Sequence, residues 1–305
     1  LLSAALVCSE EAPALPRVLL REPLAYRLVE LRYASHHMYF NEEHKLLYCS
    51  VPKVACTEFM RLFFRLQGRN QDTDWKENPH FKTVKPLFSL LSNRPAQRTN
   101  RETNSGEENA TAIINDPEWT KMVFFRDPAE RLLSAWLDKF SPKSPYESVY
   151  GMHVFKKQRV SFPEFVDLVT AKNTRTNRPE GLHANTNPHW RLQRYMCNLE
   201  KFLPAYNFVG SFDSLYSHTR RLLEAKGLWE DYGATGWTST QATPEEKNGA
   251  LFEKNLAEHQ TPSKNLTAYY TPELLARVHR AYAPDYEMLH AIGFNHDRPT
   301  TGAAW

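Results

Sequence analysis

Cysteine is scarce in this chain, with only four residues among 305. Cys8, Cys49, Cys56 and Cys197 are too few for the dense disulfide framework of a small secreted domain. Their spacings do not match those of a zinc site, and no histidines cluster with them. The sequence therefore predicts a protein that works without a metal, and it leaves any disulfide pairing open.

A strong excess of charge of one sign is also missing. Lysine and arginine number 38 against 35 aspartate and glutamate residues, which gives a formal net charge of +3. Proteins that bind nucleic acid usually have a concentrated basic surface or a recognisable module, and neither is visible here. Nucleic acid is therefore not an expected partner. With 41% hydrophobic residues, a chain of this length can bury one large core, and no internal repeat divides it.

No apolar run reaches the roughly 20 residues that a membrane-spanning helix needs. Residues 1–8, LLSAALVC, are apolar and small, which is typical of the end of a signal peptide or anchor, although a piece of ordinary helix is the alternative. Asn109 and Asn265 begin N-x-T sequons in polar stretches, which favours a luminal glycoprotein. We expect an N-terminal arm over residues 1–34, which could carry a membrane anchor, and one folded domain over residues 35–305.

Glycine is absent from residues 45–67, which argues against the G-x-x-x-x-G-K-[ST] loop of kinases and GTPases. The stretch instead has an apolar run over residues 46–49, the loop SVPKVACT over residues 50–57 and then apolar residues at helical spacing. Such a junction directs the N–H groups of the first helical turn out of the carboxyl end of a strand, where a phosphate can accept them. Lys53 adds a mobile cation and Thr57 a hydroxyl group.

A second strand ends in charged residues. Residues 119–125, WTKMVFF, are apolar, and RDPAER follows directly before a helical run. Asp127 is suited to cap that helix and Pro128 to its first turn. Arg126, at the strand end, and Ser134, roughly two helical turns further on, can therefore converge on one anion.

Each stretch also has a plainer interpretation. Lys53 can be the surface lysine of an ordinary turn between a strand and a helix. Glu130 and Arg131 can belong to a solvated helix face, with Ser134 as a small packing residue. On either stretch alone, these alternatives stay open.

Together, VPKVACT and RDPAERLLSAWLDKF resemble the 5′-phosphosulfate loop and the 3′-phosphate motif of sulfotransferases that use 3′-phosphoadenosine 5′-phosphosulfate (PAPS). The closest resemblance is to the membrane-bound Golgi carbohydrate sulfotransferases of the chondroitin and dermatan type. It covers residues 46–294 and includes HWR at 189–191 and YNFVGSFD at 206–213. It implies an α/β, P-loop-like three-layer fold with a central parallel sheet, helices on both faces and long loop insertions, located in the Golgi lumen.

The resemblance also implies roles for residues in the two motifs. Because negative charge builds on the oxygen that stays with the 5′-phosphate, Lys53 is expected to be catalytic and to stabilise this leaving group. Arg126 and Ser134 are expected to bind the 3′-phosphate, the contact that separates PAPS from an ordinary nucleotide. The expected contacts to the 5′-phosphosulfate are those of the loop, namely Pro52, Lys53, Val54, Ala55, Cys56 and Thr57.

The acceptor hydroxyl needs a general base, and a histidine that is neutral near pH 7 suits this task. His189 is the first candidate, because its HWR context resembles a family motif, while His80, His183 and Glu58 stay open. A late stretch, HQTPSK, resembles the loop by which related enzymes close over the nucleotide, although a plain surface loop is the alternative. Its candidate contacts are Thr261, Ser263 and Lys264.

The sequence thus predicts a PAPS-dependent sulfotransferase whose partner is a hydroxyl acceptor, most simply a glycan, with its oligomeric state open. One alternative is a catalytically inactive relative that binds PAPS or its product nucleotide and serves as a glycan-binding or assembly protein. Others are a sulfotransferase for a non-carbohydrate alcohol and a phosphoryl-transfer enzyme. The sequence departs from the family pattern at some positions, such as Asn207, where an aspartate is common. These departures concern the specificity for the carbohydrate acceptor and not the binding of the donor.

Overall fold

The computed structural model describes residues 37–68, 105–171, 180–183, 186–237, 249–253 and 266–294. The N-terminal arm predicted over residues 1–34 lies outside these ranges, and so do four of the predicted site residues, His80, Thr261, Ser263 and Lys264. Within the described ranges, no helix combines the length and the apolar character that crossing a membrane requires.

The sheet of the described region has four strands in chain order, β1 (Met38–Asn41), β2 (Leu46–Cys49), β3 (Thr120–Phe125) and β4 (Phe208–Ser211). β2, β3 and β4 are parallel, whereas β1 pairs with β2 as an antiparallel strand. The strands predicted over residues 46–49 and 119–125 are confirmed to within a residue. β1 was not predicted, and it makes the sheet mixed rather than purely parallel.

The helices alternate with the strands, as the α/β prediction requires. The longer ones are α1 (Cys56–Leu66), α2 (Ser105–Asn115), α3 (Pro128–Lys139), α4 (Phe162–Thr170), α5 (Leu215–Ala225), α6 (Pro272–Ala281) and α7 (Ala283–Ala291). Short helical segments occupy the connections at Glu147–Tyr150, Gly151–Phe155, Glu180–Leu182, Gln193–Asn198, Leu199–Phe202, Leu203–Ala205, Trp229–Gly233 and Leu266–Ala268.

Two clusters of buried apolar side chains stabilise this arrangement. In the first, the ring of Phe59 on α1 lies 4.9 Å from the ring of Tyr48 on β2 and 4.6 Å from that of Phe124 on β3, measured between ring centres. The second cluster joins α3, α4 and α6 through fully buried residues such as Leu133 and Phe165. Helices α1 and α3 thus follow neighbouring parallel strands, and both begin at the carboxyl edge of the sheet.

Gly210 on β4 and Asn207, directly before this strand, are residue types that their contacts require. A Cβ atom on Gly210 would lie 2.2 Å from a ring carbon of Phe124, so glycine is the residue that fits there. The Asn207 amide oxygen accepts the Lys121 backbone N–H at 2.7 Å, and its amide nitrogen donates to the Trp119 carbonyl at 2.8 Å. An aspartate could not make the second bond, so the asparagine fits the backbone that it contacts.

A disulfide joins Cys49, at the end of β2, to Cys197 in the segment Gln193–Asn198. Both cysteines are buried, and 148 residues separate them along the chain. Cys56, at the start of α1, is partly exposed. The bond therefore anchors the strand that leads into the VPKVACT loop to the part of the chain that follows His189.

Candidate active site

The loop between β2 and α1 has an unusual backbone. Lys53 and Ala55 have φ angles of 69° and 55°, in the left-handed region that costs a non-glycine residue about 1–2 kcal/mol. Ala55 is the N-cap of α1, and its methyl side chain cannot accept the N–H groups of the first turn. The Val54 N–H is used inside the loop, where it donates to the Val51 carbonyl at 3.2 Å. Strained backbone at an uncapped helix start is typical of a ligand-binding site.

The predicted loop residues divide by exposure. Pro52 and Val54 are buried, whereas the partly exposed residues are Lys53, Ala55, Cys56 and Thr57. The side that carries Lys53 and the first turn of α1 is therefore the accessible side of the loop.

Lys53 points its ammonium group at a carboxylate on α3. Lys53 Nζ lies 2.9 Å from Asp138 Oδ2, and Lys139 Nζ lies 3.2 Å from the same oxygen. Burial lowers the pKa of Lys53, although Asp138 opposes this shift. Burial also raises the pKa of Asp138, but the two lysines outweigh it and leave the net pKa below the usual value. Sequence reasoning missed Asp138, although it follows Ser134 by four residues in the same motif.

His189 lies beside this cluster. Burial, followed by the positive charges of Lys139 and Lys53, lowers the pKa of His189 to about 3. Asn187 Oδ1 accepts the His189 backbone N–H at 3.0 Å and lies 2.7 Å from His189 Nδ1. Because that oxygen is an acceptor, Nδ1 must carry the proton of the neutral ring and Nε2 has the free electron pair. The first candidate base is therefore neutral and within electrostatic reach of Lys53.

The other two described candidates for the base have different surroundings. Glu58, in the first turn of α1, forms an ion pair with Arg61 at 2.8 Å. The carbonyl of His183 accepts both the backbone N–H and the hydroxyl of Thr186. His189 is thus the candidate whose pKa responds to Lys53 and Lys139.

Arg126 lies at the end of β3 and reaches across to the loop. Its Nη1 donates to the Lys53 carbonyl at 3.2 Å, and its Nε lies 3.5 Å from Glu130 Oε2. The guanidinium also lies over the ring of Phe212, 4.0 Å from the ring centre. Asp127 accepts the Glu130 N–H at 2.9 Å, so the predicted cap of α3 is confirmed.

Ser134 lies on the side of α3 that faces the loop. It is buried and stands one turn after Glu130 and one turn before Asp138, and residues four apart share a helix face. Glu130 contacts Arg126, and Asp138 contacts Lys53. Ser134 thus lies on the helix face whose neighbouring residues contact Arg126 and Lys53, and its binding of the same anion as Arg126 stays a prediction.

Arg131 is buried, which corrects the interpretation of Glu130 and Arg131 as a solvated face. Its three guanidinium nitrogens donate to three backbone carbonyls, those of Pro52 at 2.9 Å, Arg191 at 2.7 Å and Pro188 at 2.7 Å. One side chain therefore connects the VPKVACT loop to the segment that carries His189. Sequence reasoning missed this role, because carbonyl partners have no side-chain signature.

The cluster as a whole carries more positive than negative charge. Lys53, Lys139 and Arg131 surround one carboxylate, Asp138, and a neutral imidazole. Such a site can bind an anion, neutralise charge on a leaving oxygen and accept a proton at adjacent positions. Within the described residues, no group of His, Cys, Asp or Glu side chains could hold a metal ion.

Comparison with known proteins identifies relatives. The sequence model described as the sulfotransferase family matches residues 36–290. Carbohydrate sulfotransferase 11 of Mus musculus is 28% identical over 244 residues, which cover 74% of this chain and 62% of that relative. Carbohydrate sulfotransferase 9 of Homo sapiens is 27% identical over 286 residues, covering 88% of this chain and 55% of the relative. This chain therefore spans less than two thirds of the length of either relative. No solved structure matches this chain significantly.

Proposed function

Because this chain belongs to the sulfotransferase family, we propose that it transfers a sulfonate group from PAPS to a hydroxyl group of a carbohydrate. The observation that carries the proposal is the cluster of Lys53, Asp138, Lys139 and His189 beside the uncapped start of α1. It combines cations for an anionic donor with a neutral base for the acceptor. The relatives named above are carbohydrate sulfotransferases, which supports a sugar as the acceptor.

The residues present fit the donor. Lys53, Thr57 and the first-turn N–H groups of α1 form the accessible side of the loop, and they would hold the 5′-phosphosulfate end. Arg126 and Ser134, on the adjoining surface of β3 and α3, would hold the 3′-phosphate. The loop that carries Thr261, Ser263 and Lys264 would close over the nucleotide, as the sequence predicts.

Bound PAPS supplies the sulfonate group and a leaving phosphate oxygen that becomes negatively charged as the bond from sulfur to that oxygen breaks. Lys53 would bring its ammonium group to the place where this charge develops, and Asp138, 2.9 Å from Lys53 Nζ, would orient it. His189 Nε2 can take the proton of the acceptor hydroxyl, because its Nδ1 is occupied by Asn187. The new bond then joins the acceptor oxygen to sulfur, and the proton remains on the imidazole.

The electrostatics of His189 couple the base to the donor site. Burial, and after it the charges of Lys139 and Lys53, disfavours the charged imidazolium and lowers the pKa to about 3. Negative charge brought beside Lys53 by the phosphates opposes part of this field and raises the pKa of His189. His189 should therefore accept a proton more readily with an anionic donor bound than without it, since the donor opposes the lysine part of the shift and not the part due to burial.

Calorimetric binding of 3′-phosphoadenosine 5′-phosphate (PAP), the product nucleotide, tests the donor assignment, with 5′-AMP as the matched ligand that lacks the 3′-phosphate. We expect the wild type to prefer PAP by about tenfold or more, since charged hydrogen bonds contribute roughly 1.5–3 kcal/mol. Ser134→Ala should reduce this preference, whereas Ser217→Ala, an exposed serine hydroxyl on α5, should not. Equal affinity of the wild type for PAP and 5′-AMP would refute a PAPS-dependent function.

Transfer of radiolabelled sulfonate from PAPS to chondroitin tests catalysis. Lys53→Met should lower kcat by roughly 10²-fold or more, as expected when a donor to a developing oxyanion is lost. Lys157→Met is the matched control, because it breaks an exposed ion pair with Glu164. If the wild type binds PAP but transfers sulfonate to neither chondroitin nor other sugars and alcohols, the protein is a non-catalytic nucleotide-binding relative.

We also propose that the protein works in the Golgi lumen, where an N-terminal membrane anchor would hold it. The disulfide between Cys49 and Cys197 supports an oxidising compartment. Asn109, the first residue of one sequon, is exposed on α2. A shift in electrophoretic mobility after glycosidase treatment of the secreted protein, lost in Asn109→Gln combined with Asn265→Gln, is the expected result. An unshifted wild type would count against passage through the glycosylating compartments.

A further inference from the structure

Residues 146–152 expose apolar surface that the fold does not use. Tyr146, Val149 and Met152 are 42%, 65% and 46% exposed, and in the described part of the chain they are the large hydrophobic residues that solvent reaches most. The segment also borders the candidate active site, because the ring of Tyr150 meets that of His189 edge-on with centres 6.2 Å apart. Exposed apolar surface beside a reactive group indicates a binding surface.

Lys139 lies between this segment and the charged cluster. Its Nζ is 4.6 Å from the ring centre of Tyr146 and 5.1 Å from that of Tyr150, and it is 3.2 Å from Asp138 Oδ2. The two rings and the carboxylate hold the ammonium group in place. Lys53 reaches the same carboxylate from the loop, where its backbone carbonyl accepts from Arg126 Nη1 at 3.2 Å. The two lysines that share Asp138 thus lie toward different parts of the site.

The different positions of Lys53 and Lys139 suit two tasks, binding of the donor and binding of the acceptor. The donor needs Lys53, the first turn of α1 and the Arg126 surface, which leaves Lys139 beside the tyrosines. Lys139 is also, after burial, the strongest influence on His189, the proposed base. A cation framed by aromatic rings next to the base is suited to hold the molecule whose hydroxyl the base activates.

We infer that Lys139, Tyr146 and Tyr150 form an acceptor subsite that takes a sugar ring bearing a carboxylate or sulfate group. The inference rests on the proposed function, because it names the acceptor side of the same site. Tyr146 packs against the C–H face of the ring, and the anionic group pairs with Lys139. A hydroxyl on the neighbouring part of the glycan then reaches His189 Nε2.

The test measures the binding of two matched glycans to the PAP-saturated protein, chondroitin and carboxyl-reduced chondroitin, which differ in the anionic group. We expect the wild type to prefer chondroitin, and Lys139→Met to weaken chondroitin binding by about tenfold while leaving the reduced form within about twofold. Lys143→Met removes an exposed lysine four residues away and serves as the control for nonspecific charge. Tyr146→Ala should weaken both glycans.

Three results would overturn the subsite. The first is equal binding of both glycans by the wild type, which includes binding of neither. The second is a loss of chondroitin binding in Lys143→Met as large as that in Lys139→Met. The third is unchanged binding of both glycans in Tyr146→Ala. The last result would assign the exposed segment to a protein partner instead. Binding of PAP and 5′-AMP is measured on the same samples. A wild type that prefers PAP but ignores the carboxylate keeps the proposed function and loses only the subsite.

Discussion

At the scale of single residues, Asp138 has two opposing effects on Lys53. Its carboxylate orients the ammonium group at 2.9 Å, and it also competes with any phosphate for that group. Asp138→Asn should therefore bind PAP several-fold more tightly, because the site loses a negative charge. It should also lower kcat, because Lys53 is no longer held and burial already lowers the pKa of Lys53.

Calorimetry with PAP and steady-state kinetics with PAPS measure these two changes separately. Asp167→Asn is the control, since Asp167 on α4 forms an exposed ion pair with Arg277 on α6. Weaker PAP binding in Asp138→Asn, in parallel with lower kcat, would show that Asp138 has a purely structural role.

His189 links the site to the pH dependence of stability. The pKa of His189 is about 3 in the folded protein, against an ordinary value of 6.5 in an unfolded chain. Between these values the unfolded chain binds a proton that the folded protein does not, so acidification over this range favours unfolding. His189→Gln should therefore lose less stability than the wild type between about pH 7 and about pH 4.5.

Urea unfolding of both proteins at the two pH values measures this difference. Asp285, whose pKa burial raises to about 6, acts in the opposite direction, but it is present in both proteins and cancels in the comparison. The same loss of stability in the two proteins would mean that His189 is not held in its neutral form.

At the scale of secondary structure elements, the contact between β3 and β4 depends on a residue without a side chain. Gly210→Ala places a Cβ atom against the ring of Phe124, and such overpacking costs about 1–3 kcal/mol. Adding Phe124→Leu makes room, so the double variant should be more stable than the sum of the two single losses predicts. Chemical unfolding of the wild type, the two single variants and the double variant measures the free energies of unfolding for this comparison.

Gly227→Ala is the comparison variant for this cycle. Gly227 has open space around it and a φ of 68°, so alanine there should cost about 1 kcal/mol through backbone strain. That loss should not depend on residue 124. Strict additivity of Gly210→Ala and Phe124→Leu would mean that β4 shifts to accommodate the new methyl group.

The elements that local patterns specify were predictable, and those that depend on distant partners were not. Strands β2 and β3 consist mainly of consecutive apolar residues, and Asp127 and Pro128 mark the start of α3 by type and spacing. β1 has only four residues, and its place comes from pairing with β2. The ion pair of Lys53 with Asp138 joins residues 85 positions apart, which no local pattern could indicate.

At the scale of the whole molecule, the disulfide between Cys49 and Cys197 closes a loop with a separation of 148 residues. A crosslink over so long a stretch restricts the unfolded chain, and its loss typically costs about 2–5 kcal/mol. We expect the double variant Cys49→Ala, Cys197→Ala to lose stability of that order in chemical unfolding. Cys56→Ser leaves the bond between Cys49 and Cys197 intact and serves as the comparison variant. A wild type whose unfolding is insensitive to reducing agent would contradict this expectation.

The carbonyl contacts of Arg131 also determine how the site responds to salt. Dissolved ions screen the accessible charges of Lys53 and Lys139, so the affinity for anionic ligands should fall as ionic strength rises. The three bonds of Arg131 lie in the interior and end on neutral carbonyl groups, where mobile ions have little access. Concentrated salt should therefore release bound nucleotide and glycan while the loop and the His189 segment keep their relative position. A salt gradient can thus elute the protein from an anionic affinity matrix in a form that regains activity on dilution.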